Sequence, residues 1–106
     1  MRKMTAKIIM VGLIVLSASA AFAHSPLCSC FDNGDGTVLC EGGFSDGSSA
    51  SGVRIFVKSE SEEVLSKGTM NESSEFEFKK PEGAYTVTFD GGEGHSIVID
   101  GSDIVE

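Results

Sequence analysis

Past residue 23 the chain alternates. In Glu75-Phe76-Glu77-Phe78-Lys79 the aromatics fall on one face and the charges on the other. Tyr85, Val87 and Phe89 alternate with Ala84, Thr86 and Thr88. Val53, Ile55 and Val57 alternate with Arg54, Phe56 and Lys58, and Ile97 and Ile99 with Ser96 and Val98. A period of two sends alternate side chains to opposite faces of an extended strand, and the β-branched and aromatic content suits that surface. Turn formers separate these runs at short spacing: Asn33-Gly34-Asp35-Gly36, Asp46 to Gly52, Asn71 to Ser74, Pro81 to Gly83 and Asp90 to Gly94. The pattern predicts seven strands, near 28–32, 37–44, 53–58, 63–68, 74–79, 84–90 and 95–100. Strands this short, each with one apolar face, bury those faces by packing two antiparallel sheets. The expected fold is all-β, a small immunoglobulin- or transthyretin-like sandwich.

The first residues follow another pattern. Arg2, Lys3 and Lys7 precede the apolar run Ile8 to Leu16, and Ser17 to Ala23 are mostly small. This is the layout of a secretory signal, too short for the roughly 20 apolar residues of a membrane-spanning helix. Ala21-Phe22-Ala23 fits the cleavage pattern and would make His24 the first mature residue; Ala18-Ser19-Ala20 is the competing site. The organisation expected is therefore a cleaved segment 1–23 and one domain over 24–106, exported to the periplasm or outside the cell, soluble and without a membrane anchor.

Cleavage changes the charge. The whole chain has 8 Lys+Arg against 16 Asp+Glu, a net −8. Losing Arg2, Lys3 and Lys7 leaves five basic residues and a net −11. That balance argues against nucleic acid and anionic membranes as partners. It is compatible with cations, and equally with a plain solvated surface.

Three cysteines, Cys28, Cys30 and Cys40, enter an oxidising compartment, where one disulfide is the default and one thiol is left over. Cys28 and Cys30 share a face of one strand, so either could bridge to Cys40 across the hairpin. Register decides: a three-residue loop centred on Gly34 sets Cys40 opposite Cys28, and a five-residue loop centred on Asp35 sets it opposite Cys30. The other reading makes these thiolates soft ligands for copper or zinc, a weaker signal because no Cys-x-x-Cys is present. Asp32-Asn33-Gly34-Asp35-Gly36 begins like a calcium loop, but the alternate oxygen ligands fall on Gly34 and Gly36, so it reads as a hairpin turn.

The two histidines are His24 and His95. A mature N-terminal His24 offers its α-amine and ring Nδ1 to one ion, and a second imidazole gives three nitrogens suited to Ni(II) or Cu(II). His95 follows a glycine-rich turn, and its parity with Ile97 and Ile99 leans it toward the sandwich mouth. The plainer reading of His95 is a partly buried histidine beside a loop. No enzyme is expected: the thiols sit at a hairpin without an activating base. Glu60, Glu62 and Glu63 form a solvated loop, and residues 90–94 lack the helix of a phosphate cradle.

Taken together these segments resemble the small exported accessory proteins of nickel and cobalt energy-coupling-factor transporters, related to carboxypeptidase-regulatory, transthyretin-like domains. The matching stretches are the leading His24, Gly43-Phe44-Ser45-Asp46-Gly47, Val64 to Phe78 with its Glu-Phe-Glu-Phe ending, and Tyr85 to Asp90 leading to Gly94-His95. The resemblance implies a non-enzymatic protein that helps take up or buffer Ni2+ or Co2+, with His24 and His95 facing the metal and a membrane transporter contacted in trans. The insert from Pro26 to Cys40 departs from that pattern and shifts preference toward copper if its thiols join the site, with Cys28, Cys30 and Cys40 as weaker ligands. A further alternative is an exported interaction module whose histidines are incidental.

Overall fold

A computed structural model describes residues 24–106; the expected signal segment and its cleavage point lie outside them. Among the described residues seven antiparallel strands form two sheets: β1 (Pro26–Asp32), β2 (Thr37–Phe44), β3 (Arg54–Ser59), β4 (Val64–Thr69), β5 (Glu75–Lys79), β6 (Tyr85–Asp90) and β7 (Ser96–Asp100). The sheet orders are β1-β2-β5 and β4-β3-β6-β7. The β2-to-β3, β4-to-β5 and β5-to-β6 connections cross between sheets, giving a Greek-key sandwich. The expected seven-strand sandwich is present, with each strand within two residues of the segment expected for it. In the constant-type immunoglobulin arrangement the fourth strand lies beside the fifth; here β4 pairs with β3 instead.

The core is the set of inward residues that alternation selects. Val38, Cys40, Ile55, Val57, Val87 and Phe89 are fully buried, with Phe78, Tyr85 and Met70 nearly so. Phe89 stands between the sheets with its ring 6.0 Å from that of Phe44. Its neighbour on β2 is Gly42, where a Cβ would meet the Phe89 ring at 2.7 Å. Glycine is required there because the aromatic takes the volume a side chain would fill. Gly68 makes the same allowance for Phe76, whose ring lies 2.6 Å from a Cβ at that position.

The hairpin between β1 and β2 settles the disulfide. Cys30 pairs with Cys40 and Asp32 with Val38, so the loop is residues 33–37, the five-residue alternative. Asn33 N donates to Thr37 O at 3.0 Å. Asp32 accepts from Gly34 N and Asp35 from Thr37 N, so side chains rather than a tight two-residue turn set the register. Cys30 and Cys40 are bonded and Cys28 is free. Cys28 stands opposite Gly42, half-buried, and burial pushes its thiol up to about 11.

The tail closes the same end of the molecule as this hairpin. Asp100 caps a 3-10 turn at Gly101–Asp103, Ile104 is buried in the core, and Asp32 N donates to Val105 O at 3.0 Å. The tail thus covers part of the free edge of β1.

Candidate metal centre

His24 and His95 come from opposite ends of the described sequence, and the topology brings them together. β1 and β7 are edge strands of different sheets, and they touch along one side of the sandwich. β1 starts and β6 ends at the same pole, so the residue before β1 meets the loop that opens β7. The two histidines line one shallow pocket of about 200 Å³ with Phe44, Ser48 and Gly91. His95 is partly buried beside the β6–β7 loop, as both the parity reading and the plainer reading expect.

Each imidazole is held by its Nδ1. Ser25 N donates to Ser45 Oγ at 2.8 Å and Ser45 N to Ser25 O at 2.9 Å, continuing the β1–β2 register past Pro26 and Phe44. One step further, residue 24 falls across from residue 46, and His24 Nδ1 lies 2.6 Å from Asp46 Oδ2. The Asp46 carboxylate is fixed by its own turn. Its Oδ1 accepts from Ser48 N at 3.0 Å and from Ser48 Oγ at 2.7 Å. Those bonds, with the nearby His24 charge as a smaller contribution, hold its carboxyl below the usual range. It is an anion at neutral pH.

His95 is set by the β6–β7 loop. Gly91 N donates to His95 O at 3.0 Å and His95 N to Gly92 O at 2.9 Å. Its Nδ1 lies 3.0 Å from the Glu93 carbonyl, which can only accept, so Nδ1 carries the proton and Nε2 keeps the lone pair. A histidine that donates one ring N–H to a carbonyl while offering the other nitrogen is oriented as metal-binding histidines are. Gly91 forms the pocket floor: a Cβ there would meet His95 O at 2.8 Å and Phe44 Cε1 at 3.5 Å.

Among the described residues no three His, Cys, Asp or Glu side chains stand gathered as a ready-made metal cage. The pocket offers two imidazoles, and a metal would need donors from beyond them. The cysteines supply none. Cys30 and Cys40 have no thiolate, and Cys28 lines a different depression, with Ile99 and Ile104.

Asp46 is the residue that the sequence pattern left inside a loop. The signal was present: Asp46-Gly47-Ser48 is an Asx-turn sequence, and the hairpin register places 46 opposite 24. Compared with protein-family models, curated proteins and solved structures, the chain has no match in any of the three.

Proposed function

We propose that this is a non-enzymatic, exported metal-binding protein that carries or buffers a divalent transition metal, nickel or cobalt, at the His24–His95 pocket. The observation that carries the reading is that the two histidines, 71 positions apart in the sequence, line one pocket. With cleavage after Ala23, His24 contributes its α-amine and Nδ1 and His95 contributes Nε2. Three nitrogens then meet one ion at an apolar wall made by Phe44. The acidic surface raises the local concentration of cations. The resemblance to accessory proteins of nickel and cobalt uptake supplies the setting, in which the metal is cargo handed to a membrane transporter. Copper bound by the same histidines is the alternative cargo. The closed Cys30–Cys40 bridge leaves that version without those two thiolates.

The test is a competition titration of Ni(II), Co(II) and Cu(II) against a chromophoric chelator. The proteins compared are one beginning at His24, its His95→Ala variant, and a form with one alanine ahead of His24. One tight site lost in both altered proteins is expected; no retained metal in the first protein overturns the reading. A second reading, an interaction module, draws on Leu27 and Phe31. They are exposed on the outer face of edge strand β1, with Leu39 beside Phe31. It predicts that all three proteins behave alike toward metal.

A further inference from the structure

We infer that the free edge of β1 docks an extended segment of a partner protein in which lysine or arginine alternates with apolar side chains. This gives the interaction reading a place and a ligand chemistry, and it holds whether or not the His24–His95 pocket takes an ion. Its ground is the set of backbone groups that β1 leaves open. Cys30 and Cys40 stand opposite each other with Cα atoms 4.0 Å apart, the close spacing of a pair that exchanges no backbone hydrogen bonds. Cys30 therefore turns its N–H and C=O away from β2, as do Cys28 and Asp32, which share its parity. At Asp32 the outward N–H donates to Val105 O at 3.0 Å. The chain's own tail thus takes the last position of this edge, as an added strand would. Among the described residues no backbone bond reaches Cys28 or Cys30 from that side. Pro26, which has no N–H, ends the open stretch.

The surroundings of the edge select the occupant. A strand added beside β1 sends alternate side chains to opposite faces. One set enters a groove lined by Cys28, Ile99 and Ile104, which suits apolar side chains. The other lies along Leu27 and Phe31, exposed on the outer face. Glu41, Glu75 and Glu77 share that face, with Glu41 directly opposite Glu75. Like charges so placed repel, and none of the three is in an ion pair among the described residues. A lysine there lays its apolar stem on Leu27 or Phe31 and reaches toward Glu41 with its ammonium. Segments 26–32 and 96–106, which border the edge, contain Asp32, Asp100, Asp103 and Glu106 and no Lys or Arg. Lys80 approaches this end but is bonded to Asp32 at 2.7 Å. A second copy of the chain would bring the same carboxylates to this edge and no base, so a basic partner is the occupant that the charges favour.

The probe is a short synthetic peptide of alternating valine and lysine, titrated into the isotope-labelled protein and followed by NMR. The amides of Cys28 and Cys30 should shift and become protected from hydrogen exchange, with binding weakened by salt. A valine–glutamate peptide should leave the spectrum unchanged, and backbone N-methylation of the basic peptide should abolish binding. Glu41→Gln combined with Glu75→Gln removes the like-charge pair, so this variant should melt no lower than the unaltered protein yet bind the peptide several-fold more weakly. Absence of binding overturns the inference and leaves the metal titration untouched. Shifts scattered over the acidic surface, without protection of Cys28 and Cys30, also overturn it, since they report charge attraction alone. An affinity unchanged in the double variant overturns the choice of a basic occupant. Protection of the same two amides by raised protein concentration, without peptide, overturns it in favour of a second copy.

Discussion

Gly91 shows how much one missing side chain can decide. Its Cα faces the carbonyl of His95, and a methyl group would come within 2.8 Å of that oxygen. The obstruction is backbone, which cannot swing away as a side chain would. Gly91→Ala should therefore displace the loop that fixes His95 and destabilise the fold by about 1–3 kcal/mol. Metal affinity should fall with it, read by the same chelator competition. Cys28 offers a second check at this scale. With its thiol pushed up to about 11 by burial, it is protonated at neutral pH and should resist iodoacetamide at pH 8 until the protein is unfolded. Rapid alkylation of the folded protein would contradict the placement. Legibility from the sequence was uneven among single residues. The histidines could be singled out because there are only two, but Asp46 could not, since its contact with His24 depends on the register of two strands.

At the scale of elements, alternation located four of the seven strands because each must bury one face, and the turn formers bounded the rest. It was weakest for β4, where Val64 and Leu65 are both exposed and Gly68 is an inward position left small for Phe76. Strand order was not legible: nothing in the local pattern says that β4 joins β3 rather than β5. The Cys30–Cys40 pairing was open for a similar reason. Two turn dipeptides, Asn33-Gly34 and Asp35-Gly36, advertise tight turns, yet the Asp32 and Asp35 side chains hold a longer loop. The bridge closes a short loop, with Cys30 and Cys40 separated by 10 positions. By loop entropy it stabilises the fold by about 2–3 kcal/mol. Reduction should lower the melting temperature by about 10 °C or more, measured by thermal scans with and without dithiothreitol. An unchanged melting temperature after verified reduction would contradict this.

For the whole molecule, the two poles have different jobs. One carries the histidine pocket; the other is closed by the hairpin, the tail and a group of fixed carboxylates. Asp32 is held below its ordinary range chiefly by its bond from Lys80, Asp35 by Thr37 and Asp100 by Ser102. Depressed carboxyls contribute stability above their unfolded value of about 3.9, and that contribution is lost as pH falls through their lower folded values. Melting temperature should accordingly hold from pH 7 to about 5 as far as these groups decide it, then drop below about pH 4. Lys80→Met should make the drop smaller by returning Asp32 toward its ordinary value. The buried Ile104, which ties the tail into the core, gave no periodic signal because a single inward residue after the last strand has no partner to alternate with.

In the proposed function, His24, freed at its amine, and His95 hold one metal ion. Native mass spectrometry of the protein recovered from its export compartment, with and without added Ni(II), Co(II) and Cu(II), tests it most directly. A mass beginning at His24 with one tightly held ion is expected. A mass beginning at Ala21, or a His24 start that retains no metal, would contradict it.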